Sequence, residues 1–281
     1  MNQSLIQQTA VAAMVVTTLI SVGLRTSLLD FRGTFQAPLR QLGLVVVNLL
    51  VVPLLTLALA RATGCSDAMV AGFLICAACP GGATGPLFAS QARGHLAAAI
   101  AGMVGLSLLA VPLSPLLLAR LLGTTVELDP HRLLLPMIGT LGIFQLLPLV
   151  VGMTLRAHAP TLAARLAPPL GRLANVLLLA VIVGLLLVRG HAISQVGLKG
   201  AALSMGLVLL NLGMGALLSR DRAIRRSLSM VTGVRNISLA ILLSTLYFSG
   251  PLIEAAILTF GLFTMAVPFV VATLLSRRQP T

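Results

Sequence analysis

Runs almost free of charge, each long enough to cross a hydrocarbon core as helix, recur from one end of this chain to the other and decide its fold class before any motif is considered. They extend from Met1 to Leu24, Gln41 to Ala60, Ala68 to Ala92, Leu96 to Ala119 and Leu133 to Leu155. Four more follow: one from near Leu166 to Val188 with Arg172 snorkelling, then Gly200 to Ser219, Ser227 to Ile253 around Arg235, and Ala255 to Ser276. Apolar residues make up 58% of the 281 and charged residues 9%, and the mean hydropathy is +1.05, which excludes a soluble class. Lipid offers no partner to backbone N–H and C=O groups, so the expectation is an all-α integral membrane protein of about nine transmembrane helices. Residues 1–281 are then a single transmembrane domain, and no soluble domain is left over.

The first run lacks the basic start and small-residue cleavage site of a signal peptide, so it reads as a retained helix. A net charge of +13 raises the question of nucleic acid, but the basic residues lie scattered in short loops with no aromatic-studded basic domain. With nine spans, thirteen of the 19 basic residues fall on one side, among them Arg25, Arg32, Arg93, Arg172, Arg226 and Arg278. Arg61, Arg120, Arg132, Arg189 and Lys199 fall on the other. The positive-inside rule therefore expects a multi-pass protein of the cell membrane with its N-terminus outside and its C-terminus in the cytoplasm. Cys65, Cys76 and Cys79 form no even disulfide framework, and Cys76 and Cys79 have the spacing of only half a metal site. No catalytic carboxylate pair, nucleophile with base or phosphate loop is visible, so no enzymatic activity is expected.

Two segments resemble each other across five spans: Gly43 to Leu49, with Asn48, and Gly206 to Leu212, with Asn211. An odd number of crossings reverses direction, so the halves, about 1–120 and 130–281, read as inverted-topology repeats. The next span of each half carries a break. In the third, Cys79-Pro80-Gly81-Gly82-Ala83-Thr84-Gly85-Pro86 interrupts the helix, and in the eighth Thr232-Gly233-Val234-Arg235-Asn236 does so. Proline removes a donor and glycine weakens a helix, so the freed backbone groups need partners away from lipid. Two crossed discontinuous helices would bring half-helix termini together at a binding site near the midplane. The candidate site residues are Arg235, Asn236, Thr84, Asn48 and Asn211, around breaks formed by Pro80, Gly81, Gly82, Gly85, Pro86 and Gly233. The plainer reading is that each break is a packing kink, and that the asparagines make helix-to-helix hydrogen bonds of about 1 kcal/mol.

Cys79-Pro80-Gly81-Gly82, followed by Ala92-Arg93-Gly94, together with the later Thr232 to Asn236, resembles the bile acid:sodium symporter family over nearly the whole chain. Bacterial members often have ten helices; this chain is similar to the nine-helix forms. The resemblance implies a panel domain, a core domain with two crossed broken helices, and uptake of an organic anion with two sodium ions. Residue by residue, the implied sodium ligands are missing: the Ser-Asn pair falls on Gly85 and Pro86, the Ser and Thr of the next span on Ala99 and Met103. The implied Glu falls on Val231 and the implied Gln on Arg235, while Asn236 keeps the family's Asn. Sodium needs several hard oxygen ligands, usually including a carboxylate. The six acids, Asp30, Asp67, Glu127, Asp129, Asp221 and Glu254, all sit at predicted loops or span ends. Glu254 reads most simply as a residue of a solvated face.

An arginine at mid-membrane costs about 2.5–3.5 kcal/mol on insertion scales, so Arg235 calls for a partner or a task. Three readings stand: it takes the place of sodium, it binds the substrate's carboxylate, or it packs against polar atoms without a role in transport. The expected function is alternating-access transport of an organic anion, carboxylate or bile-acid-like, with sodium coupling lost or altered and no cofactor. The expected partners are that anion and the lipid bilayer, with no nucleic acid. The alternatives are an arsenite- or auxin-type efflux carrier of similar plan and a non-transporting membrane receptor or scaffold.

Overall fold

The computed structural model describes residues 3–26, 38–122, 130–248 and 250–277. Asp30, Arg32, Glu127, Asp129 and Arg278 lie outside the described residues, as do the side chains of His131, Arg132 and Arg189. Every regular element among the described residues is helical. In chain order they are α1 (Gln3–Arg25), α2 (Pro38–Ala62), α3 (Asp67–Ala77), α4 (Gly85–Gln91) and α5 (Leu96–Leu122). Then α6 passes from Pro130–Leu141 through Gly142–Leu146 into Leu147–His158. The helical run Pro160–Leu217 leaves helical geometry at Gly197, with φ 61°, and so supplies two crossings, α7 (Pro160–Leu185) and α8 (Ser194–Leu217). The chain ends with α9 (Arg222–Gly233), α10 (Ile237–Tyr247) and α11 (Pro251–Arg277).

Eight helical segments among these residues are long and apolar enough to cross a membrane. The third expected span is the pair α3 and α4, split between Ala77 and Gly85, which brings the crossings to the expected nine. The eighth is split too, between Gly233 and Ile237, and begins at Arg222 rather than Ser227. It takes in the basic stretch because Arg226 has a partner waiting: its Nη1 donates to the carbonyl of Ala92 at 2.9 Å, at the C-terminal cap of α4. A guanidinium on a helix C-terminus compensates both the orphan carbonyl and the negative end of the helix. The Ala92-Arg93-Gly94 motif shapes this junction. Arg93 adopts φ 55°, and a Cβ at Gly94 would stand 2.6 Å from Ser227 Oγ, whose hydroxyl donates to His95 O at 2.9 Å.

The start of α9 thus meets the end of α4, and the two broken helices run in opposite directions. The second of them is the most enclosed of the membrane-crossing segments: 94% of an 18-residue window within Arg222–Tyr247 is buried. Around them, α11 packs on α3, α2 and α5 flank the breaks, and α1 packs on α6, α7 and α10. Glu254 departs from the expectation of a solvated residue. It lies in the first turn of α11 at 3% exposure, because α11 starts at Pro251 and carries it into the bundle.

Candidate functional site

The two breaks touch. The N–H of Asn236 donates to the carbonyl of Cys79 at 2.8 Å, joining the second interruption to the first. A Cβ on Gly82 would stand 2.6 Å from the carbonyl oxygen of Arg235 and 2.7 Å from Val234, so only glycine permits this approach. Gly81 has φ 81°, and a side chain there would collide with Ser107 and lie 2.8 Å from the carbonyl of Met103. The Pro-Gly-Gly sequence therefore unwinds the third span and lets the eighth cross against it. The backbone groups it frees are met by α5: Ser107 Oγ donates to Gly81 O at 3.4 Å and Ser114 Oγ donates to Ala78 O. From α6, Gln145 Nε2 donates to Ser107 O at 2.6 Å.

The second break is held from α11. Thr264, fully buried, accepts from the N–H of Arg235 at 3.1 Å and donates to the carbonyl of Gly233 at 2.9 Å. One hydroxyl thus satisfies a donor and an acceptor that the interrupted helix has lost. Asn236 caps α10, its Oδ1 accepting from Leu239 N at 3.1 Å.

Between the breaks lies the side chain of Arg235, at 0% exposure. Its Nη1 points at the carbonyls of Ala77, at 3.4 Å, and Asn48, at 3.5 Å. Ala77 is the last residue of α3, where aligned peptide dipoles leave a partial negative charge of about half an electron. Asn48 belongs to a π-helical turn, Val47–Val51, whose wider hydrogen-bond spacing interrupts the regular ladder of α2. Its side chain donates to Thr232 Oγ1 at 3.1 Å and to Leu44 O at 2.9 Å. Nε and Nη2 of Arg235 and Oδ1 of Asn48 have no hydrogen-bond partner among the described residues.

Of the expected site residues, Asn48, Arg235 and Asn236 come together at the crossing, with Gly82 and Gly233 shaping it. Thr84 stands apart: it is half-buried at the start of α4, and its hydroxyl contacts Met265 Sδ at 3.4 Å. Asn211 is buried on α8, but no hydrogen bond ties it to the crossing, and its Nδ2 has no partner among the described residues. Gly85 and Pro86 are buried, and Val231 lies against Gly85, where a Cβ would come within 3.4 Å of its Cα. Ala99, Met103 and Val231 are at 0%, 4% and 1% exposure. None of these five residues carries a side-chain oxygen.

Thr264, Ser107, Ser114 and Gln145 were missed by sequence reasoning. Each is a polar residue in a transmembrane segment, buried at 3% or less, and none lies in the repeated segments that pointed to Asn48 and Asn211. Two cavities lie beside the interrupted helices. One, of about 480 Å³, is lined by Thr84 and residues of α1 and α7; the other, of about 560 Å³, is lined almost wholly by apolar residues of α7, α8, α10 and α11. Arg235 lines neither.

Residues 12–196, more than half of the chain, match the model of the sodium bile acid symporter family. The chain is 26% identical over 242 residues to the probable sodium/metabolite cotransporter BASS1, chloroplastic, of Arabidopsis thaliana, covering 84% of this chain and 59% of that protein. It is 25% identical over 244 residues to the probable sodium/metabolite cotransporter BASS2, chloroplastic, of Oryza sativa subsp. japonica, covering 84% of this chain and 56% of that protein. The chain thus spans less than two thirds of the length of these relatives. Multiple membrane-crossing helices, two interrupted helices in contact and the matched segment converge: this multi-pass membrane protein belongs to the sodium bile acid symporter family.

Proposed function

We propose that the chain is a secondary transporter that moves an organic anion by alternating access, and that Arg235 takes the place a coupling sodium ion holds in related carriers. One observation carries the reading: a fully buried guanidinium directed at the C-terminal carbonyl of α3 and at the carbonyl of Asn48, where a small cation would otherwise be stabilised. Sodium fits the other implied positions poorly, because Gly85, Pro86, Ala99, Met103 and Val231 offer it no side-chain oxygen. A fixed cation removes the need for a bound one, which accounts for the joint loss of the carboxylate and the remaining ligands.

A second reading is favoured by the free donors. The two carbonyl contacts are long, and Nε and Nη2 have no partner among the described residues, so the guanidinium retains capacity for an oxyanion of the substrate. The two readings are compatible, since a guanidinium has five donors. The halves of the chain, about 1–120 and 130–281, act in this reading as inverted repeats. The membrane is the cell membrane, with the arginine-rich face of Arg25, Arg93, Arg172 and Arg226 in the cytoplasm.

The test is uptake of radiolabelled organic anions into proteoliposomes, in sodium buffer and in potassium buffer with no sodium. Equal uptake in both is expected, with no effect of sodium on the melting temperature of the purified chain. Arg235→Gln is expected to abolish uptake while the protein remains folded. Uptake that requires a sodium gradient, accompanied by a sodium-dependent rise in melting temperature, would falsify the sodium-free mechanism.

A further inference from the structure

Arg40 is not placed like an ordinary span-end cation. It lies in the first turn of α2, one turn before Leu44 and two before Asn48, on the stripe of that helix that turns into the bundle. Leu44 and Asn48 are buried, and Arg40 is half-buried. A long cation at a span end ordinarily extends outward to water and headgroups. Arg40 instead keeps its Nε away from solvent, and that donor has no hydrogen-bond partner among the described residues. A buried donor on a charged group is costly to leave unmet, so the groove that holds it suits an anionic acceptor. Two contacts fix what the groove faces. Asn48 Nδ2 donates to Thr232 Oγ1 of α9 at 3.1 Å, and a Cβ on Gly43 would stand 3.1 Å from the side chain of Leu218, which caps the end of α8. The second and eighth of the nine crossings run in the same direction. Arg40 precedes Asn48 by eight residues and Arg225 precedes Thr232 by seven, so each stands about two turns, roughly 11 Å, down its helix from the same hydrogen bond. The register thus brings Arg40 and Arg225 to one end of the groove. Arg225 is exposed in the first turn of α9, with Arg222 and Arg220 beside it. The carboxylate of this turn, Asp221, is committed to the helix cap, its Oδ1 accepting from Ile224 N at 2.8 Å.

The surface beside these arginines is apolar. Leu39 and Leu42 of α2 and Leu217 of α8 are all exposed, at the level where their spans end. A free phosphate would meet the arginines and leave the leucines bare, whereas a lipid satisfies both. We propose that Arg40 and Arg225 hold the phosphodiester headgroup of an anionic phospholipid, of the phosphatidylglycerol kind, whose acyl chains lie along Leu39, Leu42 and Leu217. The guanidinium fork suits phosphate oxygens in two-point contact. The positive-inside rule describes a diffuse charge on one face of the membrane; this site is one lipid at one place, set by the register of α2 on α9. The bound lipid ties the start of α2 to the α8–α9 turn, next to the junction where Arg226 on Ala92 O joins the two interrupted helices. It lies about two turns from the crossing that holds Arg235, and it stands or falls independently of transport.

The experiment is native mass spectrometry of the purified full chain in detergent, titrated with dioctanoyl phosphatidylglycerol or with dioctanoyl phosphatidylcholine, which has the same tails and no net charge. The first phosphatidylglycerol is expected to bind about tenfold more tightly than the first phosphatidylcholine. Arg40→Gln and Arg225→Gln should each weaken phosphatidylglycerol about fivefold, the worth of one arginine at an anionic surface, and leave phosphatidylcholine unchanged. Arg277→Gln, at the end of α11, removes a span-end charge outside the groove and should alter neither lipid. Arg225 is exposed, so its substitution is expected to leave the fold intact, and the comparison of the two lipids on the wild type needs no variant at all. Glycerol 3-phosphate, which carries the anion without the tails, should not displace phosphatidylglycerol at equal concentration. Equal binding of the two lipids by the wild type overturns the proposal, as does phosphatidylglycerol binding unchanged in folded Arg40→Gln and Arg225→Gln proteins. A loss in Arg277→Gln as large as theirs would reduce the effect to overall surface charge and overturn the site. Displacement by glycerol 3-phosphate would assign the arginines to a free anion and overturn the lipid.

Discussion

Replacing Thr264 by valine exchanges one hydroxyl for a methyl group and leaves the shape of the side chain almost unchanged, yet it removes the hydroxyl that bridges the second helix break. Two backbone groups lose their partner: the N–H of Arg235, 3.1 Å from the oxygen, and the carbonyl of Gly233, 2.9 Å from it. Thr264 is at 0% exposure, so water does not replace the lost bonds. Each buried group left unsatisfied costs about 1–3 kcal/mol, so Thr264→Val is expected to cost about 3 kcal/mol. At the unfolding entropy per residue of globular chains, a protein of 281 residues shifts by about 2 °C per kcal/mol, which predicts a fall in melting temperature of about 6 °C. Thr264→Ser keeps both bonds and gives up one methyl group, a loss of about 1 kcal/mol. The assay is thermal unfolding of the two purified variants and the wild type in one detergent, followed by circular dichroism at a helix wavelength. A valine variant as stable as the serine variant would show that the hydroxyl does not hold the break, and the geometry assigned to the crossing would be wrong.

Gly82→Ala forces a Cβ to within 2.6 Å of the carbonyl of Arg235, where both partners are backbone and neither can swing away, whereas a Cβ on Gly105 meets nothing within 4 Å. Thermal unfolding of both variants should show a loss of about 1–3 kcal/mol for Gly82→Ala and no loss for Gly105→Ala. Ser114→Ala leaves the buried carbonyl of Ala78 without its hydroxyl partner and should lower stability by about 1–2 kcal/mol in the same measurement.

The crossings and both breaks are legible along the chain because they are one-dimensional signals: apolar length, and glycine or proline inside it. Arg235 also stands out, since a charge inside an apolar run is visible without knowing what surrounds it. Lateral placement is not legible in this way. Arg25 and Arg172 look like ordinary span-end cations until α1 and α7 bring them into one cavity through the contact of Arg25 with Ala167 and Gly171. Arg226 reads as a loop residue because the carbonyl that draws it into the bundle, that of Ala92, lies 134 positions earlier. Glu254 misleads for the opposite reason: a charge marks a span boundary in sequence, but Pro251 starts a helix early enough to bury it. Asn211 shows the limit of a repeat. It shares a local sequence with Asn48, but only Asn48 lies in a π-helical turn and reaches the second break.

Exchanging a bound ion for a side chain alters the sign of the electrical work in a transport cycle. A carrier that moves two sodium ions with each monovalent anion carries net positive charge inward, and an inside-negative potential drives it. Arg235 stays with the protein and returns with it, so over a full cycle only the anion's charge crosses. At 100 mV, inside negative, moving one negative charge inward is opposed by about 2.3 kcal/mol, a factor of about fifty in the accumulation ratio. Under the proposed mechanism the resting potential of a cell therefore favours export of the anion, unless its concentration gradient is larger. Proteoliposomes loaded with potassium and treated with valinomycin set this potential directly. Uptake of a radiolabelled organic anion should slow when the interior is made negative and quicken when it is made positive, in buffers without sodium. Acceleration by an inside-negative potential would mean that a cation travels with the anion, and Arg235 would then be a structural residue of the crossing rather than the substitute for an ion.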